Sequence, residues 1–532
     1  MRTAGRMPAR ARTASGASVI PPPPGEGAAQ LLRAGVLAQQ QGDHVRAMDL
    51  LGRAIEADPQ SWIAHTCLGG TLKALGKMEA AIAAHRHAVD LGGDHRAMSN
   101  LALTYRAAGR PDEAIVSLEA AIARAPGEAE LYGNLSGLLL AVGRAAEAEV
   151  AARHALGIAP GEARFETNLA YARKEQGDFA GALVHLRRAI ALDPQDADAQ
   201  WNLGLTLLAD PATLADEAEG WRALEWRHHI PGLGSTPSAA LASTPVWAGE
   251  ALAGRTLLLQ AEQGLGDTLQ FARYARAAKG IAGAGVVVLE CQAPLERLLR
   301  RCAGVDTVVA RGTTAAAPAR IDRRVGLFSA PGYLGGAMPG GSPCAAYLTA
   351  EPERIARWRG WLAERTAGAR FRIGIGWQGN PRYRADGRRS IPLAFFAPLL
   401  RMIEAAGGAV VSLQRGDGRQ QLAALPFGIS VVDVGPALDA DGAFVDTAAL
   451  MTALDLVITS DTSIPHLAGA LGMPVWMALA ALPDWRWGLR GDECPWYPSM
   501  RLFRQSAPGD WAGVFRRIAR SLGERFSIAG AP

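Results

Sequence analysis

Disulfide chemistry has little to work with in this 532-residue chain. Its five cysteines, Cys67, Cys291, Cys302, Cys344 and Cys494, are odd in number, widely scattered and free of any C-x-x-C pair. That spacing excludes a stapled secreted scaffold and a cysteine zinc site, and it points to a reducing compartment. No apolar run approaches the ~18 residues that a membrane-spanning helix needs, and the basic N-terminus lacks the apolar stretch of a secretory signal. A cytoplasmic protein without a membrane span is the expectation. A basic surplus is missing too: the formal charge is +4, but Arg2, Arg6, Arg10 and Arg12 against Glu26 place +3 of it in residues 1–27. The +1 left for the rest does not make a nucleic-acid-seeking surface, so no nucleic acid partner is expected. Several catalytic signatures are absent as well. There is no G-x-x-x-x-G-K-[ST] phosphate loop, no G-x-S-x-G elbow and no H-E-x-x-H, and "GLGDTL" lacks the third glycine of the dinucleotide fingerprint. The acidic "DAD" at Asp439 to Asp441 sits in a Gly/Pro-flanked loop and reads as a surface turn, and no metal is expected.

The first segment, residues 1–27, combines Arg, Ala and Ser with a four-proline run and reads as a disordered tail, because it cannot bury enough surface to offset its ordering entropy. From residue 28 a self-similar pattern begins. Gly42, Gly76, Gly109, Gly143 and Gly177 recur at spacings of 34, 33, 34 and 34, and each is followed by an alanine-rich amphipathic stretch such as "RAMDLLGRAIEADP" or "DEAIVSLEAAIARAP". Small residues fall where two helices must approach. Ala47, Ala81, Ala114, Ala148 and Ala182 form one series, and Ala54, Ala88, Ala121, Ala155 and Ala189 a second. Gly35, Gly69, Ala102, Ser136, Ala170 and Gly204 occupy the small position of each first helix. This pattern is similar to the tetratricopeptide repeat, here about five and a half copies over 28–232 with an irregular sixth unit. Such arrays present an extended concave groove suited to a polypeptide, so a protein partner is expected there.

Past a Gly/Pro/Ser linker (233–254) the period changes. "RTLLLQAEQGLGDTLQFARYARAA" and "GVVVLECQAPLERLLRRC" each read as a strand, a turn and a helix. Further on, "FRIGIGWQGN", "GAVVSLQRG", "ISVVDVG", "DLVITSD" and "PVWMALA" are strands alternating with helices. That alternation predicts parallel sheets covered on both faces, in two Rossmann-like halves over 255–370 and 371–532. The last segment, "GDWAGVFRRIARSLGERF", is expected to be a closing helix across the halves.

Four stretches carry candidate chemistry. "DLVITSDTSIPHLAGAL" brings Asp461 to the carboxyl end of a strand and opens a helix, with Pro465 tolerated in its first turn. The free amide groups there, with the hydroxyls of Thr462 and Ser463, suit a diphosphate; either hydroxyl also serves as a plain helix cap. His466 is a ligand contact or a structural imidazole. In "EQGLGDT", Gly264 and Gly266 permit a tight turn and Asp267 heads the next helix, where it caps or acts as a general base, with Glu262 as its rival. "GWQGNPRYRADGRRSIPL" follows a strand end. Gln378 and Asn380 are candidate donor contacts there, and one or two of Arg382, Arg384, Arg388 and Arg389 reach a leaving diphosphate. "PDWRWGLRGDECPWYPSMRLFRQ" supplies Trp485, Trp487, Trp496 and Tyr497, which stack on a sugar or base or pack over the sheet end.

Together these stretches resemble the glycosyltransferase domain of bacterial tetratricopeptide proteins related to the ADP-heptose:lipopolysaccharide heptosyltransferases (glycosyltransferase family 9), over about residues 245–532. The resemblance implies a GT-B architecture, two facing Rossmann-like domains that bind a nucleotide-sugar donor and use no metal. It implies that Asp267 is the general base, that Arg389 meets the donor phosphates where the family usually has Lys, and that Asp461, Thr462 and His466 belong to the donor-binding turn. The repeats are foreign to the lipopolysaccharide enzymes. They are similar to those of the O-linked N-acetylglucosamine transferases and bacterial flagellin glycosyltransferases, which shifts the expected acceptor from lipid to protein. The alternatives are a heptosyltransferase-like enzyme acting on a glycan and a non-catalytic repeat scaffold with a degenerate transferase domain.

Overall fold

The computed structural model describes residues 27–209, 217–234, 241–312, 320–336, 346–383, 385–436 and 438–528. The tail of residues 1–26, Cys344 and Arg384 lie outside the described residues. The chain forms two compact units, Met1–Gly161 and Glu162–Pro532.

The first unit is a run of helical hairpins: Ala28–Gln40 with His44–Ala57, Trp62–Ala74 with Met78–Asp90, His95–Ala107 with Pro111–Arg124, and Ala129–Ala141 with Ala145–Ile158. The repeating glycines explain the period. Gly42, Gly76, Gly109 and Gly143 close the first helix of each pair at φ of 78°, 73°, 74° and 81°, a left-handed conformation that other residues adopt only at a cost. Small residues then let the paired helices touch. A Cβ on Gly35 would lie 2.8 Å from Leu51 Cγ and one on Gly69 2.6 Å from the His85 ring, while Ser136 donates to the Ala148 carbonyl at 2.8 Å.

The second unit begins with two more such pairs, Ala163–Glu175 with Phe179–Leu192 and Ala197–Ala209 with Glu217–Leu224. It continues into two parallel sheets. The first contains β1 (Thr256–Gln260), β2 (Val286–Cys291), β3 (Thr307–Ala310) and β4 (Arg323–Gly326) in the order β3-β2-β1-β4. The second contains β5 (Arg372–Gly376), β6 (Ala409–Ser412), β7 (Val432–Asp433), β8 (Leu456–Ser460), β9 (Val475–Leu479) and β10 (Met500–Arg504) in the order β10-β9-β8-β5-β6-β7. Counted from its own first strand, the second sheet has the doubly wound order, with the reversal between β5 and β8; in the first sheet the reversal lies between β1 and β4. The loops after β1, β5 and β8 are therefore the ones that open at the crevices of such sheets.

Three expectations are corrected. The helical elements end at His229, before the expected linker, but they are not separated from the sheets: Trp221 and Leu224 belong to the same core cluster as Leu257, Leu259 and Phe271, and Trp247 is fully buried with its backbone N–H on the Arg324 carbonyl at 2.8 Å. The boundary between compact units falls instead at Gly161. The terminal helix Trp511–Phe526 does not cross the halves. Its Val514, Phe515 and Ile518 pack with Ile373, Phe396 and Trp476 of the second half, because its apolar stripe matches that sheet's outer face. The segment Met500–Arg504, after the tryptophan-rich stretch, is a strand, β10. Asp439 is buried, not in a surface turn, and accepts bonds from the backbone N–H of Asp446 and the Thr447 hydroxyl.

Candidate functional site

The loop after β1 reaches the helix Leu265–Phe271 through the cap residue Gly264. Asp267 sits in the first turn and its Oδ2 accepts the Gly264 N–H at 2.8 Å. Gly266 is what lets this turn approach the second half: a Cβ there would lie 3.2 Å from His466 Cδ2 and 3.5 Å from Ser463 Cα. The loop after β8 supplies the opposing element. Thr462 caps the helix Ser463–Ala470, its Oγ1 accepting the Ile464 N–H at 3.2 Å. The two helix starts are thus in contact, and Gly264, Gly266, Asp267, Thr462, Ser463 and His466 are brought together.

The residue that joins the two sides is Arg486, which the sequence reading passed over. Its guanidinium donates to Asp267 Oδ1 at 2.5 Å, to Gln270 Oε1 at 2.8 Å and to Asp484 Oδ1 at 2.8 Å. It stands in "PDWRWGLR", between two tryptophans. The one signal was Asp484, which heads the 3-10 turn Trp485–Trp487 as an N-cap. The neighbouring aromatics are packed: Trp487, Trp496 and Tyr497 are at most 2% exposed, and only Trp485 is partly accessible.

Asp461 is partly buried. Burial and the nearby Asp484 carboxylate push its carboxyl up to about 7, against the opposing influence of Arg389 and Arg486. His466 is held well below its ordinary value by burial and by the charges of Arg486, Arg273 and Arg389, so its imidazole is neutral. It lies against Trp487, ring centroids 5.0 Å apart, with Nδ1 3.1 Å from the Tyr497 hydroxyl. Packing therefore accounts for much of its position.

The loop after β5 is only partly turned to this purpose. Arg389 donates to Asp386 Oδ1 at 3.2 Å and lies over the Tyr383 ring at 4.4 Å, close enough to Asp461 and His466 for its charge to act on both. Gln378 is engaged by Gln421 through its Oε1 at 2.8 Å, and exposed Asn380 holds the turn through the Arg382 N–H at 3.0 Å. Arg388 is turned to the array and pairs with Glu175 of the repeat helix Ala163–Glu175 at 2.6 Å. Glu262 is removed as a rival base. Its side chain is fully buried, paired with Arg227 through two bonds of 3.1 Å, and accepts the Phe328 N–H at 3.0 Å.

The last repeats form part of the rim. Lys174 donates to Asn202 at 3.2 Å, and burial pushes its amine down to about 8 with Asp484 and Arg388 among the surrounding charges. The ring of Trp221 meets Trp485 edge-on at 5.6 Å. Among the described residues no three His, Cys, Asp or Glu side chains gather in a way that could hold a metal ion, and no helix is long and apolar enough to cross a membrane.

Comparison with known proteins bears on the helical part. Family models described as TPR or tetratricopeptide repeat match residues 31–61, 61–127, 105–170 and 170–210. The helical part is a tetratricopeptide array. Among curated proteins the chain is similar to Protein FlbA of Caulobacter vibrioides (strain ATCC 19089 / CIP 103742 / CB 15), 30% identical over 323 residues, covering 57% of this chain and 52% of FlbA. The chain thus spans about half the length of that curated relative. Solved structures similar to the array include YrrB, a TPR protein with an unusual peptide-binding site (19% identical, 32% of this chain and 89% of that one, TM-score 0.29). Another is TTC0263, a thermophilic TPR protein of Thermus thermophilus (23% identical, 34% and 100%, TM-score 0.29). A third is MamA of Desulfovibrio magneticus RS-1 (18% identical, 32% and 98%, TM-score 0.30). The array is followed by parallel α/β sheets.

Proposed function

We propose that the chain is a GT-B-type glycosyltransferase that moves a sugar from a nucleotide-sugar donor to a hydroxyl on a protein docked by the tetratricopeptide array. The observation that carries this reading is the meeting of Asp267 and the Thr462-capped helix start across one crevice, spanned by Arg486. The donor diphosphate lies at the start of helix Ser463–Ala470, where amide donors and the helix dipole favour negative charge, with Arg389 beside it. Asp267 takes the proton of the acceptor hydroxyl as that oxygen bonds to the anomeric carbon. The bond from that carbon to the phosphate oxygen breaks, and the nucleoside diphosphate leaves with the electron pair. Charge accumulates on the leaving group, so its stabilisation is the largest contribution to rate.

The acceptor reading is supported by the last repeats at the rim of the crevice, Glu175 on Arg388 and Trp221 on Trp485. Their burial against the α/β part means that the full chain, not an excised array, is the right bait for a protein acceptor. The reaction is tested by screening nucleoside diphosphates for thermal stabilisation of the full chain, since binding to the folded state alone raises stability with the logarithm of saturation. The bound nucleotide's sugar is then supplied and glycosylated protein sought by mass spectrometry. Stabilisation followed by sugar transfer that Asp267→Asn abolishes supports the reading. No nucleotide binding favours a repeat scaffold instead, and transfer to a glycan alone favours the heptosyltransferase-like alternative.

A further inference from the structure

We propose that Arg486 is a diphosphate-binding residue that works by exchanging partners: it is paired with Asp267 in the structure described, and turns to the donor's phosphate oxygens when these enter the crevice, freeing Asp267 to accept the proton. This inference rests on the glycosyltransferase reading and adds to it the residue that couples donor binding to the base.

Asp267 Oδ2 holds the Gly264 N–H and Oδ1 holds Arg486, which takes two of the carboxylate's roughly four lone-pair directions and ties Oδ1 to the arginine rather than to an acceptor hydroxyl. The Gly264 bond is part of the helix cap and is local. The Arg486 bond comes from a distant part of the chain, and a guanidinium is the group best matched to a phosphate in forked geometry. Arg486 also has capacity to spare. A guanidinium carries five N–H donors, and its bonds to Gln270, Asp484 and Asp267 use one each on Nε, Nη1 and Nη2. Beside it, Gln270 is fully buried and its amide Nε2 has no hydrogen-bond partner among the described residues, a donor whose burial is costly unless an acceptor arrives. Asp484 and the ring of Trp485, 4.7 Å from the guanidinium carbon, keep the arginine in place while its far end changes partner. A doubly charged phosphate competes for the same N–H groups as the single charge of Asp267, and it prevails because it offers more acceptor oxygens.

The exchange makes a prediction that a merely structural ion pair does not. Asp267→Asn keeps the side-chain shape but removes the competing charge, so Arg486 is available from the outset. Calorimetric titration of the full chain with UDP, GDP and ADP, each compared with its nucleoside, reads the phosphate-dependent part of affinity. For a diphosphate that binds the native chain, Asp267→Asn is expected to tighten binding several-fold while nucleoside affinity stays the same. Arg486→Gln is expected to weaken diphosphate binding by about tenfold or more, the size of one lost charge-assisted bond, again without change for the nucleoside. Unchanged or weaker diphosphate binding in Asp267→Asn overturns the exchange. If Arg486→Gln does not fold, the Asp267→Asn arm decides alone. If none of the three diphosphates binds the native chain, nor any other in a wider panel, the glycosyltransferase reading itself fails, which is a separate outcome.

Discussion

Asp461 and His466 stand five residues apart on the same strand-to-helix turn, and their burial pulls protein stability in opposite directions with pH. The Asp461 carboxyl is raised from 3.8 to about 7 in the fold, so the folded chain holds that proton more tightly than the unfolded one. Its contribution is fully present below about pH 4 and is lost as pH rises to about 7. His466 is lowered, so its contribution is present above 6.5 and lost as pH falls below that. Asp461→Asn removes the first effect alone. Its thermal midpoint relative to the native chain is expected to climb between about pH 4 and pH 7 and then level off, measured by calorimetry across that range; a gap that does not change with pH refutes the burial argument. Glu262, equally acidic and only five residues before Asp267, behaves differently because Arg227 reaches it. Breaking that pair with Glu262→Gln leaves the buried guanidinium to the half-exposed Glu225 carboxylate, 2.8 Å away, and is expected to cost about 3 kcal/mol in denaturant titrations, the lower end for a broken buried pair. Nothing in "AEQGLGDT" distinguishes the two carboxylates by type; the distinction is made by a residue 35 positions away.

At the scale of the element, the site is a product of helix starts. Thr462 satisfies one orphan amide of the helix Ser463–Ala470, and Thr462→Ala is expected to lose about 1 kcal/mol of stability, whereas Thr462→Ser loses much less. Gly266 acts through its missing side chain. Gly266→Val places atoms against His466 and Ser463, which are already 3.2 and 3.5 Å from a Cβ, so the two helix starts must part. Turnover is expected to fall with a smaller change in far-UV circular dichroism, because the strain is confined to the contact. Most elements were legible in the sequence because strands β1, β2, β5, β6, β8 and β9 are short apolar runs ended by Gly or polar turns. β10 was not, since "MRLFR" alternates charge with apolar residues and follows a tryptophan-rich loop, and only its pairing to β9 makes it a strand. β7 is reduced to Val432–Asp433 at the edge of its sheet.

For the whole molecule, repeat period and domain boundary do not coincide. The period runs unbroken through Gly177, yet the last repeats share a core with the first sheet through Trp221 and Leu224. A fragment of residues 162–532 is therefore expected to be soluble with a cooperative unfolding transition. A fragment of residues 233–532 strips Arg227 from buried Glu262 and uncovers the surface that Trp221 fills, and it is expected to aggregate. Equal solubility of the two fragments would return the boundary to the linker.

The sequence by itself determined what is local or periodic: the helical hairpins through their left-handed glycines, the parallel strands through their apolar runs, and the turns at Gly264 and Thr462 that hold the candidate site. Only the tertiary structure decided which charges meet. Arg486 is 219 residues from Asp267, and Arg354 binds Asp446 across 92. Such partnerships leave no mark on periodicity, because an ion pair needs two side chains at one point in space and makes no demand on the residues between them.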